Sequence, residues 1–303
     1  SDTKIMELVS SNGGDLPEFT AGAHIDVFTD TDKRRSYSIA SDPTDRRRYV
    51  IGVLREADGC GGAVWMHEEV KEGDIFKVTP PINNFQLREE ALEHILIAGG
   101  IGITPILAMG YRLRELGAKF TLHYCTKSPE QTAFMEEVDK VFGKSTVFHH
   151  DGGDISEGID LDDVLGNPPN GAHLYLCGPT GLMDAAVGAA ARWPNDSVHR
   201  EYFTAVPPET KWKNEEFEIS LARHKKTLTV PVDKTILEVV REAGIPADSS
   251  CEDGLCGTCR TTLLNGNAEH RDALLSEKEK NENQAIFICV SRAKQGERLI
   301  LDI

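Results

Sequence analysis

The chain has 303 residues, 40% hydrophobic and 27% charged, which is apolar material for about two or three domains and too ordinary a composition for disordered, collagen-like or coiled-coil classes. Its 33 Lys and Arg against 49 Asp and Glu give a net charge of −16, which disfavours nucleic acid or an anionic membrane surface as the main partner. No run approaches the roughly 18 apolar residues that span a bilayer, and Ser1-Asp2-Thr3-Lys4 opens neither a signal peptide nor a lipidation motif, so a cytoplasmic location is expected.

From Ser1 to about Leu87, short alternating runs such as His24-Ile25-Asp26-Val27-Phe28 and Tyr49-Val50-Ile51-Gly52-Val53 are separated by Gly, Pro and Asp clusters. That texture predicts antiparallel strands in a small barrel or sandwich. Lys33-Arg34-Arg35-Ser36-Tyr37-Ser38-Ile39 puts Arg35, Tyr37 and Ile39 on one strand face. Such a set suits a phosphorylated, planar cofactor: arginine clasps phosphate, tyrosine packs on a ring, and Ser38 can hydrogen-bond the reactive edge. An exposed basic strand would read the same way. Gly61 and Gly62, in the turn 58–63, could form a backbone nest for the phosphate.

From about Ala91 to Phe203, apolar strand-like runs (Ile95-Leu96-Ile97-Ala98, Phe120-Thr121-Leu122-His123-Tyr124, Leu174-Tyr175-Leu176) alternate with helix-like stretches at 105–116 and 180–192. This is the pattern of a doubly wound parallel sheet. Gly99, Gly100, Gly102 and Thr104 lie between a strand and a helix, where glycines let backbone approach a pyrophosphate. The loop departs from the G-x-G-x-x-G fingerprint, and a tight connection without function is the alternative. Cys177-Gly178-Pro179 makes a second strand-to-helix turn, and both turns fall at carboxyl ends of strands, where open sheets bind ligands.

Val206-Pro207-Pro208-Glu209-Thr210 breaks both patterns and is read as a linker. Beyond it, residues 206–303 hold 14 basic and 17 acidic side chains, so most of the acidity lies earlier. Strands are expected at 217–221 and 227–230, a helix capped by Thr235 at 236–243, a hairpin turning at Asn265-Gly266, and a strand at 285–290. Cys251, Cys256 and Cys259 give C-x4-C-x2-C, and Cys289 follows on that last strand. Three thiols in one glycine-bearing loop and a fourth from a distance is plant-type ferredoxin spacing. A zinc site is the competing reading, although zinc sites usually pair two short knuckles.

The loop from Cys251 to Cys259 resembles the cluster loop of plant-type 2Fe-2S ferredoxins, with their β-grasp fold around it. The two glycine turns resemble the nucleotide domain of the ferredoxin–NADP reductase superfamily, and Arg-x-Tyr-Ser its flavin barrel. In this order the three segments resemble the phthalate dioxygenase reductase family, including vanillate demethylase-type reductases. The resemblance implies an FMN-binding antiparallel β-barrel (residues 1–88), an α/β doubly wound NAD domain (89–205), a linker (206–214) and an α+β 2Fe-2S ferredoxin domain (215–303). It implies cofactor contacts at Arg35, Ser36, Tyr37, Ser38, Gly52, Gly61, Gly62, Gly99, Gly100, Gly102, Thr104, Tyr124, Cys177, Gly178 and Pro179. Catalytic positions would be Cys177 beside the nicotinamide, Ser38 at the flavin edge, and Phe203 beside the flavin, the last an ordinary core aromatic otherwise. Cys251, Cys256, Cys259 and Cys289 would hold the cluster. Relatives usually carry another strand before the equivalent of Glu7-Leu8-Val9-Ser10, so the chain is expected to lack its native start.

NADH releases electrons as a hydride pair and a 2Fe-2S cluster takes one at a time, so a flavin converter is required. The expected function is an NADH-dependent reductase that passes electrons from NADH to FMN, to the cluster, and to a separate terminal oxygenase, in all expectation Rieske-type. Tyr124-Cys125-Thr126-Lys127-Ser128-Pro129 offers one lysine and no arginine to a 2′-phosphate, which favours NADH over NADPH. The rivals are a reductase serving another monooxygenase or general acceptor, and a zinc-stabilised binding protein on a reductase scaffold.

Overall fold

The computed structural model describes residues 2–29, 34–55, 62–203 and 212–303, divided between two units, Ser1–Phe203 and Thr204–Ile303. In the first unit, strands β1 (Thr3–Val9), β2 (His24–Phe28), β3 (Arg34–Ser38) and β4 (Arg48–Leu54) form two antiparallel pairs, β1 with β4 and β2 with β3. A single bridge Ile39↔Ile51 ties the end of β3 to β4, and His24↔Ile82 and Val27↔Val78 tie β2 to the segment 78–82, so that these pieces close into a barrel. Inward-facing Ile25, Val27, Ile39, Ile51 and Val53 fill it, with Met66 from helix α1 (Gly62–Glu68). Lys4 fastens β1 to the far end of that helix, its Nζ donating to the carbonyls of Met66 at 3.0 Å and Val70 at 2.8 Å.

The same unit continues into β5 (Glu93–Gly99), α2 (Ile103–Glu115), β6 (Phe120–Thr126), α3 (Met135–Phe142), β7 (Thr146–His150), α4 (Leu161–Leu165), β8 (Ala172–Cys177), α5 (Thr180–Ala189) and β9 (Val198–Glu201). The strands make a parallel sheet in the order β7-β6-β5-β8-β9. Period-two alternation explains how both faces are covered. Leu96 and Ala98 of β5 face Ile103, Ile106 and Leu107 of α2, while Ile95 and Ile97 face Met183 and Ala186 of α5. The chain leaves β5 toward β6 and later returns to β8 on the other side, so the topological switch lies between β5 and β8. None of the described helices is long and apolar enough to cross a membrane.

In the second unit, β10 (Phe217–Leu221), β11 (Lys226–Val230), α6 (Ile236–Glu242), β12 (Arg260–Asn265), β13 (Ala268–Glu269), α7 (Glu277–Glu282), β14 (Ala285–Phe287), β15 (Arg292–Ala293) and β16 (Leu299–Leu301) follow one another. The main sheet runs β11-β10-β16-β12-β14, with β10 and β16 parallel and the other neighbours antiparallel. Helix α6 lays Ile236, Leu237 and Val240 into its core, the arrangement of a β-grasp. Arg292 is buried, stacks 5.0 Å over the Phe217 ring, and donates to the carbonyls of Lys234, Pro231 and Glu215 at 2.7–3.0 Å.

Two local expectations fail. Asn265-Gly266 does turn the chain, but no hairpin forms, because β12 pairs with β14 and β16 whereas β13 pairs with β15. Nor does the last strand reach Val290: the amides of Val290 and Ser291 both bond to the carbonyl of Phe287 at 3.2 and 2.9 Å, closing a turn. Cys289 therefore sits in a turn after β14, not on a strand. Of the expected linker, 206–211 lies outside the described residues.

Thr235 caps α6 as its type predicts. Its hydroxyl accepts from the Glu238 amide at 3.1 Å while Glu238 accepts from the Thr235 amide at 2.7 Å. Replacing such a cap with alanine costs about 1 kcal/mol. Thr235→Ala should lower the denaturant midpoint of the second unit, followed through its visible chromophore, by the equivalent of about 1 kcal/mol, with Thr235→Ser close to wild type.

Candidate functional site

The two glycine turns of the first unit meet in van der Waals contact. A Cβ on Gly102 would lie 2.2 Å from the carbonyl oxygen of Cys177, one on Gly178 would lie 3.0 Å from the Cα of Gly99, and one on Gly99 would strike Pro179 at 2.6 Å. Backbone therefore packs on backbone at the switch point, leaving open space before Gly100, whose φ is +52°. Helices α2 and α5 both start here without a side-chain cap and with no acidic residue in the first turn. The dipoles of both helices favour an anion such as a pyrophosphate here. At α2 the Ile103 amide is already bonded to the Gly100 carbonyl and Pro105 has none to offer, so more of the first-turn amides fall to α5, and the residues present fit a pyridine nucleotide.

Thr104 is buried and spends its hydroxyl on the carbonyl of Ile101 at 3.0 Å. Tyr124 and Gly52 do not line the opening. The Tyr124 ring is fully buried in the core, with its hydroxyl between the carbonyls of Gly100 and Ala133. The space before Gly52 is already filled by Phe134, Ile101 and Thr104. Both positions fix the shape of the site instead of reaching into it.

On β3 the alternation separates the expected flavin residues. Arg35 runs its stem across Gly62, where a Cβ would lie 2.8 Å from the Arg35 Cγ, so the absence of a side chain at the start of α1 makes room for that arginine. Gly61 lies outside the described residues. Tyr37 packs against the barrel core. Ser36 is committed elsewhere, its hydroxyl donating to the buried Asp26 at 2.7 Å. Ser38 is buried, and its Oγ lies 3.4 Å from Oε2 of Glu201. An arginine beside a glycine turn, followed by a tyrosine and a serine, fits a phosphorylated flavin.

Glu201 ends β9 in register with Cys177 on β8, bringing Ser38, Cys177 and Glu201 to one place. Burial pushes the Glu201 carboxyl up to about 8, against a smaller lowering by the Ser38 hydrogen bond. Burial also holds Cys177 as a thiol well above its ordinary value, with Glu201 acting in the same direction. Cys177 is thus a neutral wall, not a nucleophile. Phe203 lies 40% exposed just beyond. Glu201 is a site residue that no sequence motif marks; in its stretch only Phe203 stands out, for its aromatic ring.

In the second unit the loop 251–259 takes left-handed backbone at Glu252, Gly254 and Gly257. That winding turns amides toward sulfur: Asp253 N and Leu255 N reach Cys251 Sγ at 3.3 and 3.4 Å, and Cys251 N reaches Cys256 Sγ at 3.4 Å. Across the loop, Cys259 and Cys289 bring their sulfurs within 3.0 Å. Within each pair one thiol is held below its ordinary value by its partner and the other above it, and charge on Cys251 is felt at Cys289 and on Cys256 at Cys259. Four neighbouring thiols, three of them buried and with amides aimed at sulfur, are a donor set that fits a 2Fe-2S cluster.

The 2Fe-2S iron-sulfur cluster binding domain family matches residues 219–294, and the N-terminal domain family of dimethylamine monooxygenase subunit DmmA-like proteins matches residues 75–198. The chain is 44% identical over 300 residues to the phthalate 4,5-dioxygenase oxygenase reductase subunit of Pseudomonas putida, covering 98% of this chain and 91% of that protein. Among solved structures, a phthalate dioxygenase reductase described as a modular structure for electron transfer from pyridine nucleotides to 2Fe-2S is 40% identical with a TM-score of 0.73, covering 100% of this chain and 94% of that one. An intact type IV self-sufficient cytochrome P450 monooxygenase is 34% identical with a TM-score of 0.90, covering 100% of this chain and 39% of that one. Identity at this level along the whole length places the chain in the phthalate dioxygenase reductase family, oxidoreductases built from flavin and nucleotide domains and a 2Fe-2S ferredoxin domain.

Proposed function

We propose that this chain is the NADH-dependent reductase component of an oxygenase system, drawing electrons from NADH through FMN and a 2Fe-2S cluster and delivering them to a Rieske-type terminal oxygenase. The observation that carries the reading is the meeting of Ser38, Cys177 and Glu201 where the flavin strand β3 faces the carboxyl ends of β8 and β9. Bound flavin would take one hydride, two electrons together, and release them singly, and the cluster would carry them one at a time. Arg35, with Gly62 yielding space, would hold the flavin phosphate, and Tyr37 and Ser38 its ring. The uncapped starts of α2 and α5 would take the pyrophosphate of NADH, while the neutral Cys177 and Thr104 bound the nicotinamide side without adding charge. The rival acceptor, a cytochrome P450 haem, draws support from the likeness to one stretch of a P450 monooxygenase.

Reconstitution separates the two acceptors. NADH should drive substrate-coupled turnover of a purified Rieske oxygenase, seen as loss of the oxidised Rieske absorbance. Reduction of a P450 in its place, with the Rieske centre untouched, would overturn the proposed partner.

Cys289→Ser should remove cluster iron and acid-labile sulfide and abolish transfer to a one-electron protein acceptor. Anaerobic bleaching of the flavin by NADH should persist at close to the wild-type rate, because the mutated site lies in the other unit.

Glu201 is neutral at pH 7, since burial raises its carboxyl to about 8. Above that pH an anion appears beside the flavin strand and opposes the negative charge that hydride transfer brings. Anaerobic flavin reduction in the wild type should therefore slow as pH rises through about 8, and Glu201→Gln should flatten the profile there. The raised folded value also means that the native state binds the extra proton between the unfolded carboxyl value, about 4.3, and 8. Stability of the first unit should fall across that window relative to Glu201→Gln.

A further inference from the structure

The glycine loop 99–104 is backed by Tyr124, and the segment that Tyr124 ties to it leads into Phe134. Tyr124 stands fully buried on β6, its hydroxyl 3.0 Å from the carbonyl of Gly100 and 3.1 Å from that of Ala133. One hydroxyl thereby bridges the loop and the segment ahead of α3. Burial raises this phenol far above its ordinary value, so it stays protonated and able to donate.

The residue after Ala133 is Phe134, whose backbone is left-handed at φ 56° and ψ 24°. That conformation costs an L-residue roughly 1–2 kcal/mol, and beginning α3 does not explain it, because Phe134 provides the helix with no side-chain cap. The ring accounts for it. Phe134 is buried against β4 of the barrel, where a Cβ on Gly52 would lie 2.8 Å from its Cε2 and 3.0 Å from the tips of both Ile101 and Thr104. At Gly52 the barrel strand thus meets the phenyl ring and the nucleotide loop together, and they come this close because residue 52 has no side chain.

We propose that Tyr124 and Phe134 form a strut that sets the height of the 99–104 loop over the barrel, and so the distance between NADH and flavin. They are positioning residues, acting through Gly100, Ile101 and Thr104 without touching either cofactor. The inference rests on the reductase reading above. Hydride transfer needs reacting atoms about 3–3.5 Å apart, and a displacement of about 1 Å can cost on the order of 100-fold, so a small change in the strut should be seen in rate before it is seen in cofactor content.

The test is anaerobic stopped-flow reduction of the flavin by NADH in the full holoprotein, with flavin and iron content measured on each sample. Tyr124→Phe, which keeps the ring, should slow flavin reduction at saturating NADH by about tenfold while leaving flavin and iron stoichiometry and reduction by dithionite unchanged. Gly52→Ala should slow it similarly, because the new methyl collides with the Phe134 ring. Gly52→Ala combined with Phe134→Leu should recover part of that loss, since leucine withdraws the ring atoms while the methyl still meets the tips of Ile101 and Thr104. Variants that lose thermal stability yet reduce at the wild-type rate, or a double variant no better than Gly52→Ala, would overturn the strut. Wild-type protein whose flavin NADH does not bleach, although dithionite does, would instead overturn the reductase reading on which the strut depends.

Discussion

The first unit depends on a contact made by backbone alone. Where β5 and β8 end, the Gly102 position faces the carbonyl of Cys177 at a distance no Cβ could occupy, and Gly99 and Gly178 close the same seam. Because the two turns touch, α2 and α5 begin side by side, neither with a side-chain cap. One diffuse dipole becomes two that converge. The same closeness fixes Cys177, and through the β8–β9 register it fixes Glu201 opposite Ser38. A side chain at the seam would displace the nucleotide loop and, with it, every group measured from the end of β8.

The second unit solves a different problem, which is to hold four sulfurs that would repel one another as thiolates. Its loop does so by winding through the left-handed region at Glu252, Gly254 and Gly257 so that successive amides turn inward. Such a loop has little packing of its own, and the surrounding sheet supplies it. Cys259 immediately precedes β12, Cys289 follows β14, and these two strands are antiparallel neighbours. Pairing across them brings the distant thiol home without any strand reaching it. Asp272 supports the loop from below, where a Cβ on Gly254 would meet its backbone at 3.2 Å.

How much of this was legible in the sequence follows from the range of the interactions. Cysteine spacing, the Thr235 cap and the strand-turn-helix of each glycine loop are local, and all were readable from composition and order. The β12 partnership was not, because Asn265-Gly266 is a good hairpin signal in isolation, and only β16, arriving some 35 residues later, takes the place that β13 would have filled. The end of β14 failed for the same reason: apolar residues continue to Val290, but the Phe287 carbonyl captures two amides and stops the strand. The resemblance implies cofactor contacts at Tyr124 and Gly52, but Tyr124 is buried and the space at Gly52 is filled by side chains, which no local pattern announces. Glu201 had no local signal at all, since its altered acidity comes from the packing around the strand end and not from its neighbours in sequence.

The two units treat ionisable groups in opposite ways, and the difference matches what each must move. At the end of β8 and β9, burial keeps a carboxyl and a thiol neutral, so neither adds a fixed charge to the site proposed for hydride transfer. In the cysteine loop each pair shares its charge between two sulfurs: the partner sulfur holds Cys256 and Cys259 below their ordinary values and Cys251 and Cys289 above theirs. Burial alone would push every one of these groups toward neutrality. What separates the sites is the neighbours of each group: at Glu201 burial is opposed by one serine hydroxyl, whereas in the cluster loop sulfur lies against sulfur and amide. The neighbours that folding brings to each group, more than the choice of titratable residue, thus decide which chemistry each unit can support.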